Sequence, residues 1–333
     1  MIQSLHCLIG TSLNPYLNLA TEEYLLDTVK PGQLILYLWQ NERTVVIGKN
    51  QNAWKECRCQ QLEEDGRMTE RDERGHFLTF GNFHDLGNLN FTFLVPTADY
   101  DLSRQMSVIL EAVRGLGIDA QKSGRNDVTV DGKKFSGNAF CKKGNNSYHH
   151  GTLMLRVDTE KVSSYLSVSE KKLRSKGVAS VSSRVCNLCD LVPQLTVEVM
   201  RQKLIEALAL TYRLPVAMIE ENQLDHKKIM SLYSRYSSWE WRFGRKIPFT
   251  WEQQERFDWG EIQLQLQVDE GIIQDAILYA DALDSPLIEK TAQQLTGLRF
   301  DPKVLEQHLL PLCESELQHR MVQDILSLTH QQA

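Results

Sequence analysis

The sequence predicts an α+β protein with a large domain over residues 1–246 and a small α+β domain over residues 250–333. Three observations predict it. The chain has 333 residues, too many for the usual single core. Period-two strands and helically spaced apolar residues both recur through the first part of the chain. After Gly244-Arg245-Lys246-Ile247-Pro248, which reads as a linker, a strand–turn–strand pattern starts again and gives way to helical patterns.

The elements follow in order. Leu34 to Trp39 is an apolar run that suits a strand buried on both faces. Thr44-Val45-Val46-Ile47 is a second strand, stopped by Gly48. Leu89, Phe91, Phe93 and Val95 alternate with Asn90, Thr92 and Leu94, and Pro96 ends that strand. Met106, Ile109, Leu110, Val113 and Leu116 keep helical spacing before Gly117. Tyr148 to Leu155 is a further strand, and a helix carrying Val197, Met200, Leu204 and Leu208 starts at Thr196. In the small domain Ile262, Leu264, Leu266 and Val268 alternate with glutamines. Asp269-Glu270-Gly271 turns the chain, and Ile272 to Tyr279 returns.

The most informative stretch is Val128-Thr129-Val130, Asp131-Gly132, Lys133-Lys134-Phe135. An Asp-Gly pair between two short strands specifies a two-residue hairpin. An unbroken register then sets Val130 opposite Lys133, Thr129 opposite Lys134, Val128 opposite Phe135 and Asp127 opposite Ser136. On that register Asp127, Thr129, Lys134 and Ser136 share one polar face. Val128, Val130 and Phe135 face the core.

Composition narrows the function classes. Hydrophobic residues make up 42% and charged residues 24%, as in ordinary globular proteins. The formal charge of −6 offers no strong field for nucleic acid or an anionic membrane, so neither is expected as a partner. No apolar run reaches the length of a membrane span. Met1-Ile2-Gln3-Ser4-Leu5-His6 lacks the charged and apolar regions of a signal peptide. Seven scattered cysteines, an odd number, suit a reducing cytoplasm better than a disulfide framework. Cys57-x-Cys59 and Cys186-x-x-Cys189 lack the second pair that a zinc site needs. The basic run Lys171-Lys172-Leu173-Arg174-Ser175-Lys176 reads as a solvated loop or as an anchor for phosphate or an acidic partner.

Several strings, in order, resemble the lipoate–protein ligase A family of the biotin/lipoate ligase superfamily. They are Asn14 to Glu23, Val46 to Asn52, His84-Asp85-Leu86-Gly87-Asn88, Ser123-Gly124-Arg125-Asn126-Asp127, Lys134-Phe135-Ser136-Gly137, His149-His150-Gly151-Thr152-Leu153 and Ser182 to Leu188. Trp239-Glu240-Trp241 with Phe243-Gly244 completes the set. The resemblance implies a large mixed-sheet catalytic domain, related to that of biotin ligases, with a small C-terminal domain. It implies ATP-dependent joining of lipoate, or octanoate, to a carrier lysine through a lipoyl-AMP intermediate. The implied cofactors are ATP and Mg2+. The implied partners are lipoyl carrier domains of 2-oxoacid dehydrogenase complexes or the glycine cleavage H protein.

The chemistry explains why these residue types suit that reaction. Adenylation brings an anionic carboxylate against an anionic α-phosphate, so positive charge must offset their repulsion. Lys134 on the polar hairpin face can bridge carboxylate and phosphate oxygens, and it matches the family's essential lysine. A lysine beside a turn is ordinarily just solvated; the motif around Lys134 turns the reading to function. Asp127 shares the face and is expected to hold magnesium, to pair with Lys134, or both. Asn126 is a candidate donor to phosphate or ribose, while Arg125 is a structural or a binding residue. His150 is expected to orient the adenylate or to meet the acceptor amine. His84 and Asp85 are expected to brace the nucleotide loop. Lys49 is a phosphate contact or a turn lysine. An apolar slot for the acyl chain is expected from Leu17, Leu19 and the strand around Phe91.

The chain departs from the family at its nucleotide loop. The family's Arg-Arg-x-Ser-Gly-Gly-Gly precedes its aromatic-His-Asp string; here residues 68–83 carry no triple glycine, and Glu70, Asp72 and Glu73 would repel phosphates. Phe80, Gly81, Asn82 and Phe83 are expected to wrap the nucleotide through their backbone, with Arg74 standing in for the second arginine. The departure leaves two alternatives. One is ATP-independent lipoyl or octanoyl transfer, for which Cys141 would be the nucleophile. The other is a non-catalytic homologue that binds lipoate or a carrier.

Overall fold

The computed structural model describes residues 1–42, 44–48, 52, 68–72, 82–124, 126–158, 185–243, 247–282 and 284–330. Chain contacts divide it into two compact units. Met1–Val46, Lys55–Arg71 and Phe80–Arg242 make the first; Ile47–Trp54, Asp72–Thr79 and Phe243–Ala333 make the second.

The first unit is built on an eight-stranded sheet of order β11-β1-β2-β6-β10-β9-β8-β7. These strands are β1 (Ser4–Ile9), β2 (Gln33–Trp39), β6 (Asn88–Pro96), β7 (Gln121–Ser123), β8 (Asp127–Val130), β9 (Lys133–Lys143), β10 (Asn146–Met154) and β11 (Val216–Met218). The sheet is mixed. β1 runs parallel to β2 and β11, and the other pairings are antiparallel. β3 (Thr44–Gly48), β4 (Met68–Asp72) and β5 (Asn82–His84) form a separate sheet of order β4-β3-β5.

Helices cover both faces, as the doubly apolar central strands require. α1 (Pro15–Thr28) and α4 (His226–Tyr236) cover one face; α2 (Leu102–Arg114) and α3 (Val197–Tyr212) cover the other. Alternation along β2 divides the core: Leu34, Leu36 and Leu38 belong to the α2–α3 side, and Ile35, Tyr37 and Trp39 to the α1–α4 side. Fully burying each such side chain is worth about 1.5–3 kcal/mol. Local signals set the helix starts. Asn14 caps α1 through Tyr16 and Leu17 ahead of Pro15, and Thr196 caps α3 through Val199. Gly117 takes φ +84 after α2, in a turn just beyond Arg114. A short helix, α5 (Trp239–Phe243), follows α4.

The second unit has its own core. β12 (Trp251–Phe257), β13 (Gly260–Asp269) and β14 (Ile272–Ala280) form an antiparallel sheet. α6 (Ser285–Leu295), α7 (Pro302–Leu309) and α8 (Glu316–His330) pack on it. The turn at Glu270-Gly271 has φ of +47 and +74, as a two-residue hairpin needs.

The Asp131-Gly132 turn forms as expected, with φ +50 and +75. The register beyond it differs from the unbroken one. Lys133 and Lys134 pair with Val130 and Thr129, but Ser136 pairs with Val128 and Gly137 with Asp127. Phe135 is an extra residue, a β-bulge, and it reverses the alternation beyond it. Ser136 is therefore buried on the core side and does not join the polar face. Phe135 is buried as well, so the bulge lets adjacent residues both point inward. Lys134 and Asp127 keep the shared face, now with Gly137 and Ala139 in place of Ser136.

Candidate active site

Pairing across the sheet gathers a polar strip on the face covered by α1. Asp127 lies opposite Gly137, Ala139 opposite His150, and His150 opposite Thr92. Directly opposed residues share a face, so Lys134, Asp127, His150 and Thr92 stand on one surface. Gly137 and Ala139 lie between them and add almost no side chain.

At one end, Lys134 Nζ lies 2.7 Å from Asp127 Oδ1. The lysine is 31% exposed and the aspartate 17%, so the pair is open to a ligand. The ammonium sits over Gly137, where a Cβ would come within 2.9 Å of Nζ. The backbone of Lys134 is held from its other side by a bridge to Val185 and by the Cys186 amide, which donates to its carbonyl at 3.0 Å. Glycine at 137 and a braced backbone thus fix where the charge stands.

At the other end, His150 Nδ1 lies 3.0 Å from Glu22 Oε1. The Thr92 hydroxyl donates to the same oxygen at 2.5 Å. Glu22 is 1% exposed, and the Trp39 ring lies 5.5 Å from the imidazole. Sequence reading missed Glu22 and Thr92. α1 mixes Asn18, Thr21, Glu22 and Glu23 with its apolar residues, so nothing in its pattern marks these acids as buried; the partners from β6 and β10 identify Glu22.

The neighbouring Glu23 is a second buried acid with other partners. It accepts from Lys143 Nζ at 2.6 Å, from Tyr236 Oη at 2.5 Å and from Arg235. Burial alone would raise its carboxyl, but the bonds from Lys143 and Tyr236 and the charges of Lys143 and Arg235 bring it below the ordinary range. It fastens α1 to β9 and α4.

The two other histidines near the strip are structural. His84 is fully buried, and burial first, then the nearby His150, hold it down to about 3. His149 points to the opposite face among Phe91, Phe93 and Phe140. Its Nε2 meets Asn138 Oδ1 at 2.8 Å, and burial, then His150 and Lys122, lower it to about 3. Gly151 follows because Phe91 leaves no room: a Cβ there would lie 2.3 Å from the ring. Asp85 braces the β5–β6 turn, accepting from the Gly87 amide at 2.8 Å and the Asp158 amide at 3.0 Å.

The remaining sequence candidates divide as follows. Asn126 gives its side-chain amide to the Asn138 carbonyl at 3.3 Å, and its own carbonyl accepts from Asn138. Phe91 faces the α2–α3 side, so it cannot line a slot on the Lys134 face, whereas Leu19 lies on the α1 side. Cys141 also packs on the α1 side, its thiol 3.6 Å from the Lys142 carbonyl. The Cys189 thiol donates to the Leu195 carbonyl at 3.3 Å. Lys49, Arg74, Phe80, Gly81, Arg125, the 171–176 run and Cys57 and Cys59 lie outside the described residues. Asn82 and Phe83 are described only as backbone of β5, opposite Val46 and Val45. Among the described residues no group of three or more His, Cys, Asp or Glu is placed to hold a metal ion. No described helix is long and apolar enough to cross a membrane.

Comparison with known proteins fits this geometry. Residues 14–209 match the lipoyl protein ligase A/B catalytic domain, and residues 246–328 match the bacterial lipoate protein ligase C-terminus. A lipoate-protein ligase A from Psychrobacter cryohalolentis is 38% identical over 296 residues, covering 86% of each chain. Among solved structures, a P. falciparum protein in complex with lipoate superposes with a TM-score of 0.84 at 27% identity, covering 97% of this chain and 100% of that one. A bipartite lipoate protein ligase from Thermoplasma acidophilum, described with its E2 lipoyl domain, gives 0.64 at 26% identity, covering 74% and 99%. A lipoate-protein ligase A bound with ATP shares the fold, at TM-score 0.62 and 24% identity over 73% of this chain and 99% of that one.

Proposed function

This chain belongs to the lipoyl protein ligase A/B family, and on that footing we propose that the polar strip joins lipoate to a lysine of a carrier protein at the expense of ATP. The observation that carries the reading is the Lys134–Asp127 pair, half open on a sheet face with no side chain at Gly137 beneath it. An ammonium fixed at that point can meet the lipoate carboxylate and the α-phosphate together and lower their repulsion as they join. The carboxylate oxygen bonds to the α-phosphorus, the bond to the β-phosphate breaks and pyrophosphate leaves; the lipoyl-AMP formed has an acyl carbon that an amine can attack.

The residues take the following parts. Lys134 holds the two anions. Asp127 positions Lys134 and would hold Mg2+, which would supply further positive charge against the phosphates. A single carboxylate suffices for Mg2+ held mainly by phosphate oxygens, so the absence of a larger acid cluster among the described residues is compatible with it. His150, held by Glu22, is proposed to orient the adenylate or to meet the acceptor amine. Asn126, Arg74 and Phe80 to Phe83 remain the proposed nucleotide contacts; for Asn126 this requires giving up its bond to Asn138. The acyl chain enters on the α1 side, near Trp39 and Leu19. The acceptor is a lipoyl domain of a 2-oxoacid dehydrogenase or the H protein, with the cytoplasm as the compartment. We propose domain limits of 1–246 and 250–333 for the catalytic and accessory parts.

Ligation is favoured over relay through Cys141 and over a binding-only role, because the curated relative is named as a ligase over most of its length. The deciding experiment is mass spectrometry of a purified lipoyl domain incubated with this protein, lipoate, ATP and Mg2+. A lipoyl adduct that requires ATP supports the reading. An adduct without ATP, or none with well-folded protein, overturns it.

A further inference from the structure

We infer that Asn187 is a positioning residue for Lys134: its side chain anchors Val185 and Cys186 in the gap where β9 and β10 part, and those two residues set where the lysine backbone lies. This rests on the ligase reading above and deepens it, since that reading needs a fixed ammonium and assigns no side chain to hold the strand that carries it.

The gap follows from the strand pairing. β10 pairs with β9 from Asn146 opposite Lys143 to Gly151 opposite Asn138. Past that point Thr152, Leu153 and Met154 pair with β6 alone. Lys133 and Lys134 therefore keep β8 on one edge and lie beyond the β10 ladder on the other. Backbone groups left without water or a ladder need other partners. Val185 and Cys186 supply them. Val185 bridges Lys134 in parallel, and the Cys186 amide donates to the Lys134 carbonyl at 3.0 Å. The Cys186 thiol lies 3.7 Å from the Lys133 carbonyl.

Asn187 is the next residue. Its Oδ1 accepts from the Val157 amide at 2.9 Å, and its Nδ2 donates to the Val157 carbonyl at 3.0 Å. The side chain thus offers the donor and acceptor that a paired backbone residue would offer. Asparagine has both on a short arm; aspartate has no donor and leucine has neither. Val157 is a firm post for this bond. It is buried, and the two residues before it, Leu155 and Arg156, both donate their amides to the Gly87 carbonyl at 2.9 Å. The residue after it, Asp158, donates to Asp85 at 3.0 Å. Gly87 packs so closely that a Cβ there would lie 2.0 Å from the Arg156 carbonyl oxygen. The contacts run from the β5–β6 turn, through Val157 and Asn187, to the backbone of Lys134.

Other bonds hold the chain after Asn187. The Cys189 amide donates to the Leu155 carbonyl at 3.0 Å, and the Asn187 amide donates to Asp190 at 3.2 Å. Neither uses the Asn187 side chain, so its removal loosens Val185 and Cys186 and leaves this corner folded. Misplacing a reacting group by about 1 Å can cost ~10²-fold in rate. The lysine stem, with Asp127 beside its ammonium, absorbs part of a backbone shift, so a loss of about tenfold is expected.

The test is a double-mutant cycle on lipoate-dependent exchange of pyrophosphate into ATP, with the fold of each variant checked by a circular dichroism melt. Asn187→Ala should lower the kcat of exchange about tenfold and change the KM for ATP little. In a Lys134→Ala background the same substitution should change kcat by no more than about twofold, because a residue that acts through Lys134 then has nothing to position. An equal loss in both backgrounds, or an unchanged kcat in Asn187→Ala, overturns this inference and leaves the ligase reading standing. Should Asn187→Ala fail to fold, Asn187→Asp, which keeps the acceptor and lacks the donor, takes its place in the cycle. Absent exchange in the unsubstituted protein overturns the ligase reading, and this inference with it.

Discussion

Lys134 illustrates how far single residues can be read without a structure. Its side of the hairpin follows from the Asp131-Gly132 turn, and its pairing with Asp127 at 2.7 Å was one of the expected roles. Lys134→Ala should lower adenylate formation by at least ~10²-fold, the usual cost of losing a charge-stabilising donor, with an unchanged circular dichroism melt. Glu22 was not legible, because a buried acid is recognised by partners that come from β6 and β10, distant in sequence. Gly151 had no visible reason until Phe91 was placed beside it. Gly151→Ala should cost about 1–3 kcal/mol, seen as a lower denaturant midpoint, since the buried ring cannot retreat. His84 and His149 set an acid limit. Both are lowered to about 3 in the folded state, so the unfolded chain binds more protons between that value and about 6.5. Stability is therefore full above pH 6.5 and falls as the pH drops through that window, by up to about 1.4 kcal/mol per pH unit for each ring. Thermal melts from pH 7 to 4 should show this slope, and His84→Gln should make it shallower.

Among the elements, strands with strict alternation were easiest to place. β6, β10, β13 and β14 lie close to where their periodicity put them. β1, β12 and α4 were harder, because short or mixed-polarity segments carry weak periodic signals. The register beyond the hairpin was misread for a definite reason: an extra residue in a strand leaves no mark in the hydrophobic pattern when both bulged positions are buried. α1 does two jobs with adjacent acids. Glu22 reaches the strip, while Glu23 fastens the helix to Lys143, Arg235 and Tyr236. Glu23→Gln should destabilise the chain by roughly 1–2 kcal/mol, a value reduced because Lys143 and Arg235 are partly open to water. Chemical denaturation of the variant, beside a Lys143→Met control that removes one partner only, would measure it.

For the whole molecule, the described residues of 247–330 contain a sheet, three α-helices and a separate apolar core. A fragment of residues 247–333 should therefore fold alone with a cooperative thermal transition. A featureless melt would show that it depends on the rest of the chain. The nucleotide loop is the part that sequence reading could describe least. Its family pattern is altered, and backbone contacts to phosphate depend on conformation more than on side-chain identity.

The bulge at Phe135 has a practical consequence for altering this protein. It separates the tip of the hairpin from the strand beyond, so each follows its own in–out rhythm. Deleting Phe135 would keep every other residue on its present face, whereas drawing it into an unbroken ladder opposite Val128 would leave the tip intact while turning Gly137 and Ala139 inward and pushing Ser136 and Asn138 out. The floor between the two ends of the catalytic strip would then be filled with polar side chains, and His149 would lose its partner, without any reacting group having been substituted.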